Sequence, residues 1–195
     1  MTGSIKVAPN IQCLIFDCDG TLVDTMPAHN AAWEAALKSH GVSVPISWLE
    51  QFNGVPTLQI VEHINNYFSL NLAPQSFSEI KESMATKLLS KVTAIEPVTT
   101  LAKSYHGKLP MGVASGGVYM NVKAALDAVG IWALFDAVLT ASDPFPPKPA
   151  PDLFLEIANR FGIPPKFCQV FEDGDAGLEA ALEAGMVATD IRKFV

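Results

Sequence analysis

The chain has 195 residues with 49% apolar and only 17% charged residues, which excludes an intrinsically disordered chain and allows a real buried core. Its formal net charge of −7, from 20 acids against 13 bases, carries no basic run. A nucleic-acid footprint is therefore missing, and so is one for an anionic membrane. Any anionic substrate has to be met by a few local cations, by backbone dipoles or by a metal. No stretch approaches the roughly 18 consecutive apolar residues of a membrane span. The opening MTGSIKVAPN has no signal-peptide h-region. Three cysteines, Cys13, Cys18 and Cys168, form no CxxC and read as reduced thiols of a cytoplasmic protein.

In chain order, the first predicted element is a strand over Ile11–Phe16, IQCLIF, ending in DCDGT. A run without polar alternation fits a parallel strand buried on both faces. Helical patterns follow at Pro27–His40, Pro45–Phe52, Thr57–Phe68 and Gln75–Lys91, then Pro97–His106. Strands at Leu109–Ala114, Phe135–Thr140, Cys168–Phe171 and Met186–Asp190 then alternate with helices at Val118–Val129, Pro151–Phe161 and Ala176–Ala184. Gly130, Gly162 and Gly185 stand where these helices should stop. The alternation predicts an α/β doubly wound parallel sheet. The gap of roughly 85 residues from Asp24 to Leu109 far exceeds one crossover helix. It predicts a core of residues 1–24 and 93–195, with a helical domain of residues 25–92 inserted after strand one.

Ligands of open α/β sheets bind beyond the carboxyl ends of the strands. Four polar departures fall there. Asp17-Cys18-Asp19-Gly20-Thr21 places two carboxylates close together, which raise one another's pKa unless a cation neutralises them. A hard divalent ion such as Mg²⁺ suits oxygen ligands of this kind. Ser115-Gly116-Gly117 opens a helix and offers a hydroxyl and free N–H groups to an anion, or simply caps that helix. Lys148 lies in a segment with five prolines in eight residues, Pro144 to Pro151, a stiffened loop or a polyproline ligand. Glu172-Asp173 either complements a helix dipole or completes an oxygen-ligand set.

The segments FDCDGTLVDT, VASGG, KPAPD and FEDGDAGLEAALEAGM resemble, in order, the four motifs of the haloacid dehalogenase-like superfamily. The likeness points to its branch of sugar-phosphate phosphatases and β-phosphoglucomutases, and the inserted helices resemble that family's cap. It implies a Rossmann-like core and a Mg²⁺-dependent enzyme acting on a small phosphorylated metabolite. It also implies roles. Asp17 would be the nucleophile and Asp19 the acid–base group. Ser115 and the Gly116 N–H would hold phosphoryl oxygens, and Lys148 would add positive charge. The metal would bind Asp17, the Asp19 backbone carbonyl and Asp173, with Glu172 in an outer position. Asp19 favours phosphate chemistry over dehalogenation, which needs no acid there.

The same resemblance assigns cap residues. His29 matches a cap-linker histidine that orients Asp19 or a sugar hydroxyl, against an ordinary surface histidine. Trp33 would stack on a sugar ring or pack inside the cap. Asn53, Gly54 and Thr57 lie on a loop facing the site, with Thr57 and Asn53 at the counterparts of the mutase arginine and lysine. Loss of that second-phosphate clamp favours hydrolysis. Phe52, Tyr67, Phe68 and Phe77 read as cap packing. The expected function is phosphate-ester hydrolysis through an aspartyl phosphate by a monomeric enzyme. β-Phosphoglucomutase is the alternative reaction. A phospho-accepting signalling module or a non-catalytic binding protein is the alternative class.

Overall fold

In a computed structural model of the chain, which describes residues 4–52 and 54–195, a five-stranded parallel sheet forms the core. Its strands are β1 (Cys13–Phe16), β4 (Met111–Ala114), β5 (Ala137–Leu139), β6 (Cys168–Glu172) and β7 (Val187–Asp190). Their order is β5-β4-β1-β6-β7, so β1 lies in the centre and the chain reverses direction across the sheet there. β1, β4 and β6 are buried along their whole length, as their unbroken apolar runs require. The helices α5 (Glu96–Tyr105), α6 (Tyr119–Ala128), α7 (Asp152–Phe161) and α8 (Asp175–Glu183) make the connections. Gly130, Gly162 and Gly185 take φ values of 71°, 66° and 73° where helical segments end, which a residue with a Cβ adopts only at a cost.

Two apolar clusters cover the two faces of this sheet. One gathers Leu14, Phe16, Met111, Val113, Val122 and Leu126; the other gathers Cys13, Ile15, Leu153, Phe154, Ile157 and Val170. The alternation of Leu14 and Phe16 against Cys13 and Ile15 is the period of a strand. Phe16, the last residue before Asp17, is fully buried. Its ring stacks on Phe171 at 4.9 Å and meets Phe135 edge-on at 5.8 Å. The strand end that carries Asp17 is thereby fixed in place.

Between β1 and α5 lie α1 (Met26–Ser39), α2 (Ile46–Leu49), α3 (Thr57–Phe68) and α4 (Pro74–Leu88). They bury a third cluster that includes Trp33, Leu37, Leu49, Val61, Ile64 and Phe77. The expected helix Pro45–Phe52 is divided into α2 and a 3-10 turn at Glu50–Phe52, and the expected Gln75–Lys91 ends in a 3-10 turn at Leu89–Lys91. One element lies outside the sequence expectation. β2 (Val23–Asp24) pairs antiparallel with β3 (Thr93–Ala94) where the chain enters and leaves these helices. Two-residue strands are too short to show any periodicity. Among the described residues no helix is long and apolar enough to cross a membrane.

Candidate active site

The carboxyl ends of β1, β4, β5 and β6 open on one cavity of about 550 Å³, roofed by α1, α3 and α4. Asp17 and Asp19 both line it, while Cys18 between them is fully buried. Gly20 allows the turn that follows. Its φ is 85°, and an added Cβ would collide with the Asp173 carboxylate.

Asp17 is buried and accepts a hydrogen bond from Lys148 Nζ at 2.7 Å. The same ammonium donates to Glu172 Oε1 at 2.6 Å. The other oxygen, Glu172 Oε2, accepts the Gly174 N–H at 2.7 Å. Gly177 in α8 leaves the space that this carboxylate fills. Asp173 Oδ1 accepts the Thr21 hydroxyl at 2.6 Å. Burial pushes the Asp17 carboxyl well up; Lys148 opposes the rise, and Glu172, Asp173 and Asp19 add to it. Asp173 is likewise raised by burial, with Thr21 opposing and Glu172 adding. Lys148 is raised, because Asp17 and Glu172 outweigh its own desolvation. One ammonium thus serves a crowd of carboxylates and leaves an excess of negative charge.

Asp17, Glu172 and Asp173 each bring a carboxylate oxygen within 4.8 Å of the others, a hard donor set able to hold a metal ion. Both Glu172 oxygens already have partners, whereas Asp173 has one oxygen engaged by a neutral hydroxyl. The donors with coordination capacity to spare are therefore Asp17 and Asp173. The Asp19 carboxylate stands apart from this group.

Asp19 is held from the other side. Its Oδ1 accepts the Thr25 hydroxyl at 2.7 Å and lies 3.5 Å from His29 Nε2. Its Oδ2 accepts the Ser115 hydroxyl at 3.2 Å, and that hydroxyl accepts the Gly117 N–H at 3.0 Å. Burial works against the Asp19 charge, but hydrogen bonds with His29, Thr25 and Ser115 outweigh it and hold the pKa at about 2. Gly116 passes so close to the roof that an added Cβ would stand 3.0 Å from the Gly54 carbonyl oxygen.

The roof is more polar than its sequence announces. Lys81 of α4 is 4% exposed, and its Nζ contacts His29 Nδ1 at 3.1 Å, Glu82 Oε1 at 3.0 Å and Thr57 Oγ1 at 3.4 Å. An ammonium can only donate, so His29 Nδ1 accepts and the ring proton sits on Nε2, towards Asp19. Lys81 also lies over the Trp33 ring, 5.4 Å from its centroid. Thr57 donates to Glu82. Ser78, which lines the cavity, has a buried Oγ with no hydrogen-bond partner among the described residues.

The structure thus gathers Asp17, Asp19, His29, Trp33, Gly54, Thr57, Gly116, Lys148, Glu172 and Asp173 around one cavity, with Ser115 just behind it. Asn53 lies outside the described residues. Phe52, read as cap packing, also lines the cavity, and Tyr67 is largely exposed beside Trp48 and Phe68. Lys81, Glu82 and Ser78 were not anticipated. One signal for Lys81 was present: Phe77, Lys81 and Ala85 recur every four residues on the buried stripe of α4.

Comparison with known proteins agrees with this geometry. The fructose-1-phosphate phosphatase YqaB of Escherichia coli is 40% identical over 180 residues, covering 92% of this chain and 95% of that protein. The validoxylamine A 7'-phosphate phosphatase of Streptomyces hygroscopicus is 28% identical, covering 88% and 81%. The crystal structure of β-phosphoglucomutase from Clostridium difficile superposes with a TM-score of 0.81 at 23% identity, covering 94% of this chain and 86% of that one, a likeness of fold. The pattern of the haloacid dehalogenase-like hydrolases matches residues 14–190. With that pattern running through every strand of the core sheet but the first residue of β1, the chain belongs to the haloacid dehalogenase-like hydrolase family.

Proposed function

We propose that this hydrolase is a Mg²⁺-dependent phosphatase of small sugar or polyol monophosphates, working through an aspartyl phosphate on Asp17. The observation that carries the reading is the placement of Asp17 and Asp19 on one cavity, with Lys148 against the first and Ser115 against the second. Phosphoryl transfer depends mainly on positioning and charge neutralisation, which this arrangement supplies.

Lys148 steadies Asp17 in its ionised form, aimed from the end of β1 at an incoming phosphorus. The Asp17 oxygen forms a bond to phosphorus as the ester P–O bond breaks. Asp19 takes up a proton as the anionic substrate arrives beside it, and gives that proton to the departing sugar oxygen. Having lost it, Asp19 accepts a proton from the water that attacks the aspartyl phosphate. Ser115 and the Gly116 N–H hold phosphoryl oxygens. Asp17, Asp173 and the Asp19 backbone carbonyl would hold Mg²⁺, which supplies positive charge against the phosphoryl group. Glu172, with both oxygens engaged, supports that site from outside and fixes Lys148.

The roof favours hydrolysis over mutase chemistry. A second phosphate needs an unengaged cation, and Lys81 is already matched by Glu82. Ser78 Oγ, Thr57 and the Trp33 ring are suited instead to hydroxyls and an apolar sugar face. Nothing in this chemistry calls for nucleic acid or membrane.

The test is phosphate release from a panel of fructose 1-phosphate, glucose 1-phosphate, glucose 6-phosphate and sorbitol 6-phosphate, with and without Mg²⁺. Metal-dependent release from at least one, fructose 1-phosphate first, is expected. Conversion of β-glucose 1-phosphate to glucose 6-phosphate faster than phosphate release would establish the mutase instead.

A further inference from the structure

Among the polar groups of the roof, Glu82 is joined to more elements than any substrate contact requires. Its Oε1 accepts from Lys81 at 3.0 Å and from the Thr57 hydroxyl. Its Oε2 accepts from Asn121 Nδ2, on helix α6 of the core. Asn121 is 2% exposed, and its Oδ1 accepts the Thr86 hydroxyl, one turn beyond Glu82 on α4. Both ends of the Asn121 amide are thereby satisfied by the inserted helices. Leaving either end of a buried amide without a partner would be costly.

We propose that Glu82 is a positioning residue for the acid–base group Asp19, held in place by Asn121 of the core; the idea rests on the phosphatase reading above. Lys81 is a buried ammonium whose charge needs a partner, and Glu82 is the carboxylate within reach. With that partner the ammonium stays on His29 Nδ1, and the His29 Nε2–H stays towards Asp19. Without it, Lys81 turns towards solvent, and the imidazole loses the donor that fixes its tautomer. Asn121 ties this relay to the core, so the Nε2–H reaches Asp19 in register only when α4 is seated on α6.

The step affected is departure of the sugar oxygen. As the Asp17–phosphorus bond forms and the ester bond breaks, the Asp19 proton must go to an alkoxide that cannot leave unaided. A p-nitrophenyl phosphate substrate releases a stable phenolate and needs no such proton. The ratio of kcat/KM for fructose 1-phosphate to that for p-nitrophenyl phosphate therefore reads the positioning of Asp19, whereas general damage to the fold lowers both together.

Glu82→Gln, which preserves volume, and Asn121→Ala, outside the cavity, are each expected to lower that ratio about 10- to 100-fold, a fraction of what a general acid contributes. The double variant should fall no further than the worse single one, because both act through one path. An unchanged ratio in both single variants, or multiplicative losses in the double, overturns the proposal. Metal-dependent turnover that vanishes with Asp17→Asn but keeps its ratio in both variants removes this inference alone. A wild-type protein that turns over neither substrate removes the phosphatase reading and this inference with it.

Discussion

Asp17, Ser115, Lys148 and Glu172 follow or end four neighbouring strands of one parallel sheet, whereas His29, Thr57, Ser78 and Lys81 approach the same cavity from three helices. Apart from Lys148, the first group is positioned by backbone: Asp17 N–H donates to the Phe171 carbonyl at 3.0 Å, and Ser115 N–H to the Leu139 carbonyl at 3.0 Å. The second is positioned by side chains that hold one another. A sheet fixes a strand end through hydrogen bonds on both sides, so chemistry placed there tolerates change elsewhere. A relay of side chains is only as good as its weakest member. Under the proposed mechanism, the difference assigns the reaction to the sheet and the choice of substrate to the helices.

The largest effect is expected at the sheet. Asp17→Asn keeps size and backbone but removes the proposed nucleophile, and phosphate release should fall by about 10⁴-fold or more. Full activity in that variant would end the mechanism. Chelation comes next. Treatment with EDTA should lower turnover by about 10²- to 10³-fold, with recovery on adding Mg²⁺, since a metal supplies several kcal/mol of charge stabilisation. If activity persists after exhaustive chelation, the carboxylate cluster serves some other purpose.

The seam between the two groups is sharper ground. Gly116→Ala places a methyl group 3.0 Å from the Gly54 carbonyl oxygen, and the roof must shift by a few tenths of an ångström. At about 1 kcal/mol of crowding, KM should rise roughly 5-fold while kcat changes less. A larger loss in kcat than in KM would place the damage at the sheet rather than at the seam.

The smallest effect lies away from both groups. Asp190 is held below its usual range by Arg192, whose guanidinium bonds both of its oxygens. A depressed carboxyl stabilises the fold above its unfolded pKa, about 3.9, and loses that contribution as pH falls through the folded value. Asp190→Asn should lower Tm at pH 7 by about 1–3 °C, as an exposed ion pair does. The gap from wild type should close on acidification below the ordinary carboxylate range. A gap that widens in acid would contradict the sign.

The sheet half was far more legible in sequence than the helical half. Asp17 and Asp19 follow a strand whose burial is written in its apolar run, and the order of DxDGT, Ser115, Lys148 and Glu172-Asp173 carries the topology with it. Thr57 and His29 were reached only through family likeness. Glu82 and Asn121 have no local signal, because Glu82 reads as a solvated helix acid and Asn121 as a helix-surface amide. Their meaning comes from α4 packing on α6, contacts between residues 39 apart in sequence. Burial of Lys81 was encoded in the stripe of Phe77 and Ala85, but its partners were not. The paired ribbon of β2 and β3 escaped for the opposite reason, being local but too short to carry a pattern.

The contact between Gly54 and Gly116 brings the roof to the floor through main chain alone. Such a seal has no side chains to match, so side-chain pairing between the two halves is left to Asn121 with Glu82 and Thr86. Ser78, which lines the cavity and has no hydrogen-bond partner among the described residues, can be exchanged for other groups without altering how the halves close. One catalytic floor can therefore accept many roofs, and new substrates become reachable by substitutions that leave the closure itself untouched.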